Sequence, residues 1–266
     1  MSSSLLSKQT LSPLAALKAK ANLELKILKF RLTNLSKRRF KCPICDYYGP
    51  FFDVSLPIGV DVEHERCIRC RSWTRHRLQQ LILNEVFEED DISNKKILHF
   101  APEKFFQAFF KKQFQDYVSA DIAMEGVDVQ CDMTNLPFKN AEFDVVCACH
   151  VLEHIKDDLS AIAEIRRILK PGGIAVLAVP VIGKKTIDYP EPNPHEWEHV
   201  RAPGEDYYER YLNFFSAVKQ YSSTDFPDIY QLFINENREV FPNEFCPLRP
   251  TILGKKHIDY ISVCYV

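Results

Sequence analysis

Two cysteine pairs, Cys42-Pro43-Ile44-Cys45 and Cys67-Ile68-Arg69-Cys70, stand 21 residues apart. Each pair fits a turn that points two thiolates at one ion, and two such turns complete a saturated tetrahedral site. Zn2+ suits four thiolates, and with no open position the ion is structural. Disulfides or a redox pair are the alternative use of the same residues, and no secretion-type leader favours them. A second set of residues lies downstream. Asp121 and Asp132 each follow an apolar run, and His150, His154, His195 and His199 cluster later in the chain. A carboxylate beyond a strand end can accept from ligand hydroxyl or amino groups, although Asp also caps turns without any ligand. Histidine is the side chain suited to moving a proton near neutral pH.

These residues need a scaffold, and the hydrophobic pattern supplies one. Lys96–Phe100, Tyr117–Asp121, Val127–Cys131, Phe143–Cys149 and Ile174–Val179 read as buried strands. Glu103–Phe114 and Asp157–Leu169 read as helices, the second stopped by Lys170-Pro171-Gly172-Gly173. The alternation predicts a doubly wound α/β fold whose ligand site lies at the strand ends. Residues 183–203 lack periodicity and read as a long loop. Tyr207–Tyr221 reads as a helix, and Ile229–Asn235 and Ile258–Val266 as closing strands.

The run Phe143-Asp144-Val145-Val146-Cys147-Ala148-Cys149-His150-Val151-Leu152-Glu153-His154-Ile155 resembles the class I S-adenosylmethionine-dependent methyltransferases with a type 11-like domain. So does Arg167-Ile168-Leu169-Lys170-Pro171-Gly172-Gly173, which follows one helix later. The resemblance implies a seven-stranded, mostly parallel sheet and methyl transfer from S-adenosylmethionine. It places Asp121, with Ile122 beside it, on the ribose hydroxyls. Asp132 would take the adenine amino group with Met133 against the ring. Cys149 and His150 would flank the methionine part. The turn that is glycine-rich in most relatives is here His99-Phe100-Ala101-Pro102-Glu103. Leu98 to Glu103 is similar to a subgroup with the same departure, so Phe100, Ala101, Pro102 and Glu103 complete the expected cofactor set. That subgroup also has a segment like Glu198-His199-Val200-Arg201. A hydroxyl or amine acceptor needs a base, and His199, then His150, are the expected ones.

The chain divides by composition into a basic amphipathic helix (1–40), a zinc-ribbon-like four-cysteine module (41–75) and the methyltransferase domain (76–266). Residues 1–41 hold ten Lys/Arg and one acid, whereas residues 97–266 hold 17 basic and 25 acidic side chains. An acidic catalytic domain argues against a broad phosphate-binding face. The expected acceptor is therefore a small molecule or glycan, modified at O or N. The alternatives are an RNA methyltransferase that grips nucleic acid with its zinc module, and a non-enzymatic scaffold. Arg66, Arg69, Arg71, Arg75, His76 and Arg77 surround the second cysteine pair, either as an anion site or as a face paired with Glu63, Glu65 and Glu88-Glu89-Asp90-Asp91. Leu11, Leu14, Ala21, Leu25, Leu28, Leu32 and Leu35 form a helical stripe interrupted by Lys18. A basic stripe at residues 11–35 permits peripheral membrane contact, pairing with another helix, or packing on its own domain. A cytoplasmic location, peripheral to a membrane in the first case, is the expectation. Cys131, Cys147, Cys149, Cys246 and Cys264 read as interior residues.

Overall fold

A computed structural model describes residues 12–88 and 91–266. The chain begins with α1 (Pro13–Thr33). The cysteine segment follows, with β1 (Phe40–Lys41), β2 (Tyr48–Gly49), β3 (Phe52–Leu56) and β4 (Val60–Arg66). Next come α2 (Thr74–Phe87), β5 (Lys96–Phe100), α3 (Lys104–Gln113), β6 (Asp116–Asp121) and β7 (Val129–Gln130). They lead to β8 (Phe143–Cys149), α4 (Asp158–Ile168) and β9 (Leu169–Ala178). An arm of β10 (Ile187–Asn193) and β11 (His199–Ala202) precedes α5 (Glu209–Leu212), β12 (Ala217–Ser222), β13 (Ile234–Glu236), β14 (Lys256–His257) and β15 (Tyr260–Tyr265).

The seven-stranded sheet has the order β12-β15-β9-β8-β5-β6-β7. Strands β5 to β9 are parallel, and β15 runs antiparallel between β9 and β12. The expected doubly wound, mostly parallel sheet is present. Side chains alternate across it, as a strand's period of two requires. Leu98, Val146, Ala148 and Leu177 pack under Ile162 and Ile165 of α4. Ile97, Val145, Cys147 and Val176 pack against Leu78 and Ile82 of α2 and Phe106 and Phe110 of α3. Asp157 caps α4 by accepting from the Ser160 amide. α4 ends at Ile168, and the expected Lys170-Pro171-Gly172-Gly173 stop lies inside β9, where Gly172 takes φ +75° and the register against β8 shifts between Leu169 and Ile174.

The structure corrects four local readings. The expected loop 183–203 contains the antiparallel arm β10–β11, in which Asp188 pairs with Arg201. The expected helix Tyr207–Tyr221 ends at Leu212, and Ala217–Ser222 is a sheet strand. That strand takes the closing place expected of Ile229–Asn235. The latter is extended only at its end, where Ile234–Glu236 pairs with β4 in a separate sheet, β14-β13-β4-β3. The apolar stripe of α1 does not face the protein: Leu14, Leu25, Leu28, Leu32 and Leu35 are exposed, and Ile27 packs on the cysteine module. Leu11 lies outside the described residues. None of the described helices is long and apolar enough to cross a membrane.

Candidate functional site

The two cysteine turns are built alike. The Cys42 and Cys67 carbonyls accept from the Asp46 and Arg71 amides, and both of those residues take positive φ. Their Sγ atoms converge, Cys42 on Cys70 and Cys45 on Cys67, each pair at 3.6 Å. Bonds of about 2.3 Å at a tetrahedral angle place sulfurs roughly 3.8 Å apart. All nine cysteines are free, so disulfide pairing is absent. The set fits one tetrahedral ion. The surrounding arginines are engaged in structural contacts. Arg69 pairs with Glu24 of α1, Arg71 lies over Phe52, and Arg66 lies over Trp73.

Arg77 is fully buried and joins the module to the sheet domain. Its guanidinium donates to the carbonyls of Glu65 and Ser72 on one side and of Tyr230 and Gln231 on the other. Glu65 accepts from the Thr74 amide and hydroxyl. Burial raises the Glu65 pKa despite the charge of Arg77.

The expected cofactor residues meet at one sheet edge. Strands β8, β5, β6 and β7 are neighbours, so Cys149-His150, Phe100–Glu103, Asp121-Ile122 and Asp132-Met133 leave the sheet side by side. The Ala101 amide bonds the Ala120 carbonyl, and the Cys131 amide that of Asp121. Ala101 stands at φ +45° and His150 at φ +58°, a region that costs a side-chain-bearing residue energy and is found at functional turns. Ala101 thus adopts a conformation that glycine takes without strain. Asp121 Oδ1 accepts from the Ala123 and Met124 amides, and Asp132 Oδ1 from the Thr134 amide and hydroxyl, all at 2.8 Å. Both carboxylates therefore cap turns with one oxygen, and the second oxygen takes none of these bonds. Met133 is buried, Ile122 is exposed, and the Cys149 thiol points into the α2–α3 side of the core. Glu103 lies 3.5 Å from the rings of His76 and His99. Burial raises its pKa, but the two imidazoles beside it outweigh that and hold the carboxyl well below its usual range. The donor chemistry at this edge fits S-adenosylmethionine: carboxylates for hydroxyl and amino groups, beside an apolar Met133.

Beyond the ends of β8 and β9, a cavity of about 370 Å³ opens between the sheet and the cysteine module. Leu56, Ile58 and Val62 of the module's hairpin form one wall. His150, Glu153 and His154 come from the turn after β8, and Glu196, Trp197 and His199 from the arm. Glu236, Arg238, Arg249 and Asp259 add buried ionisable groups, with half-buried Arg75 beside them. Arg201, 2% exposed, fixes the arm over the site by donating to the Leu152, Ile155 and Lys156 carbonyls and to Asp188. Among the described buried atoms, Glu153 Oε2, Glu196 Oε1, His199 Nδ1 and Arg249 Nε have no hydrogen-bond partner. Burial pushes the His199 pKa down to about 4, so the ring is neutral at physiological pH. Nearby imidazoles hold the Glu153 carboxyl below its usual value against the effect of burial. His150 and His199 thus meet in one cavity, whereas Asp121 and Asp132 do not line it. The sequence reading missed Glu153, Glu196 and Arg249. Glu153 was visible inside a recognised run, but Arg249 lies on irregular chain with no pattern to mark it.

Residues 95–177 match a methyltransferase domain model. A ubiquinone/menaquinone biosynthesis C-methyltransferase of Desulfotalea psychrophila is 34% identical over 82 residues, covering 30% of this chain and 33% of that protein. A demethylmenaquinone methyltransferase of Staphylococcus carnosus is 48% identical over 48 residues, 18% of this chain and 20% of its own. The chain spans a third or less of these curated relatives. An S-adenosylmethionine-dependent methyltransferase from Mesorhizobium loti aligns over 73% of this chain and all of its own, at 10% identity and a TM-score of 0.47.

Proposed function

We propose that this chain, whose residues 95–177 match a methyltransferase domain model, binds S-adenosylmethionine at the β5–β8 edge and methylates an oxygen or nitrogen of a small polar molecule or glycan. S-adenosylmethionine supplies a methyl group activated on a sulfonium. The chain's own part is to hold donor and acceptor in line and to exclude water. Asp121 and Asp132 offer their second oxygens to the ribose and adenine, and Glu103 offers an ionised carboxylate at the turn. His150 sits where the donor edge meets the cavity, and His150 and His199 are the imidazoles available to take the acceptor proton.

The cavity carries this reading. A half-open space of about 370 Å³ suits a small ligand. Its unpartnered carboxylate, imidazole and guanidinium atoms suit a molecule with several hydroxyl or amino groups. The curated relatives are named for ubiquinone and menaquinone biosynthesis, but an apolar ring would offer no partner to the buried Glu153 Oε2, His199 Nδ1 and Arg249 Nε atoms. The cysteine module, which we assign one structural zinc, spends Leu56, Ile58 and Val62 on the cavity wall, which favours a pocket-forming role over an RNA grip. The test is methyl transfer from labelled donor to panels of sugars, small hydroxy and amino compounds, quinols and mixed RNA. Labelling in the first two panels is expected, and labelling confined to quinol or RNA would overturn the acceptor class.

A further inference from the structure

Apart from the four thiols, one group of described side chains gathers metal-binding atoms: Glu153, His154 and His199, whose ligand atoms lie within 4.8 Å of one another. Glu153 and His154 sit in the 3-10 turn Leu152–His154 after β8, and His199 begins β11. The arm, clamped by Arg201, brings them together across 45 residues of chain. Glu153 is 1% exposed with Oε2 unpartnered, and His199 is 8% exposed with Nδ1 unpartnered. A buried polar atom left unpaired costs roughly 1–3 kcal/mol, and a charged one more, so these two atoms call for a partner.

We propose that Glu153, His154 and His199 hold a divalent transition-metal ion on the floor of the acceptor cavity, distinct from the four-cysteine site. Two imidazoles and one carboxylate with the remaining positions open form a donor set that such ions accept. Metal–ligand bonds of about 2.0–2.1 Å put tetrahedral ligands roughly 3.4 Å apart, so the cluster must tighten from its present spread. His154, 37% exposed, has the freedom to swing in. His150 Nδ1, 3.4 Å from Glu153 Oε1, orients the carboxylate from outside. The ionisable groups around the ion are Glu65, Glu196, Glu236 and Asp259 against Arg75, Arg238 and Arg249, a nearly balanced wall in which Glu196 and Glu236 pair with the arginines, so the ion's charge is met by Glu153 itself. The open positions face the cavity, where an acceptor oxygen can bind and become more acidic. His199 is then a ligand, and His150 is left as the proton acceptor. The site goes beyond the methyl-transfer reading and does not depend on it.

The test is calorimetric and spectroscopic titration of the zinc-loaded full chain with Co2+. One further ion per chain is expected, with weak visible absorption and no thiolate charge-transfer band. Affinity should fall at least tenfold in Glu153→Gln and in His154→Ala. The second variant alters a partly exposed ring and keeps the fold. Absence of a second ion, equal binding by both variants and wild type, or a thiolate band would overturn the site. S-adenosylhomocysteine binding, measured on the same samples, separates this failure from failure of the methyltransferase reading.

Discussion

Replacing Arg77 with methionine should detach the cysteine module from the sheet domain while leaving the donor edge in place. The guanidinium is fully buried, and its donors reach Glu65 and Ser72 in the module and Tyr230 and Gln231 beyond it. It also lies 4.5 Å from the Phe51 ring and is the cation beside buried Glu65. Methionine fills much of the volume but leaves carbonyls unpaired and the Glu65 carboxyl without its countercharge. A buried acceptor left without a donor costs about 1–3 kcal/mol, and Arg77 serves four carbonyls, so the loss should reach several kcal/mol, a large share of a typical domain's stability. Chemical denaturation should therefore show a loss of that size, or an early separate transition for the module. Because the hairpin walls the cavity, the Michaelis constant for acceptor should rise steeply. S-adenosylhomocysteine affinity should stay within about threefold, since Asp121 and Asp132 lie at the far strands of the sheet. A stability loss below about 1 kcal/mol would refute the idea that Arg77 welds the two parts.

Other consequences are as specific. Metal analysis of the purified chain should give one zinc per four-cysteine site, and Cys67→Ser should lose it together with the module's protease resistance. Retention of full zinc by that variant would refute the four-thiolate site. A Cβ on Gly204 would meet the Lys185 carbonyl carbon at 2.3 Å and the Thr186 nitrogen at 2.5 Å. Gly204→Ala should thus displace the base of the arm and cost roughly 1–3 kcal/mol, read by thermal unfolding. An unchanged midpoint would contradict the close approach. Burial holds the folded His76 pKa down at about 4, below the unfolded value near 6.5. The unfolded chain therefore binds the extra proton, and stability should fall by up to roughly 1.4 kcal/mol per pH unit as pH drops from about 6.5 to about 4. His76→Gln should flatten that slope by one proton in denaturation series, and an unaltered slope would show that the ring is not buried neutral.

The parallel sheet was legible because Ile97-Leu98, Tyr117-Val118, Val145–Cys149 and Ile174–Ala178 are short apolar runs at the centres of β5, β6, β8 and β9, and burial on both faces demands such runs. The cysteine cluster was legible because its spacing leaves few geometries. The arm was not. Asp188-Tyr189-Pro190-Glu191-Pro192 has no strand periodicity, and its pairing with Arg201 rests on a tertiary salt bridge and on the Arg201 clamp. Strand β12 was read as a helix because Tyr207, Tyr211, Phe214 and Val218 recur at helical steps. Its extended state comes from pairing with β15. The leucine stripe of α1 left membrane contact, helix pairing and packing on its own domain open, and Leu23 and Ile27, off that stripe, make the contact with the module. The cavity was invisible for a related reason. Its lining comes from residues 56 to 259, assembled by β4 pairing with β13, and no local pattern encodes that pairing.

The central claim is that this sheet edge binds S-adenosylmethionine despite its Ala101-Pro102-Glu103 turn. Calorimetric titration with S-adenosylhomocysteine, on wild type and on Asp121→Asn, tests it most directly. Asparagine keeps Oδ1, and so the cap on Ala123 and Met124, while removing the charge. Charge-assisted hydrogen bonds contribute about 1.5–3 kcal/mol, so binding in the micromolar range should weaken roughly ten- to a hundredfold in the variant at unchanged thermal stability. No binding by the folded wild type, or equal binding by both proteins, would contradict the account.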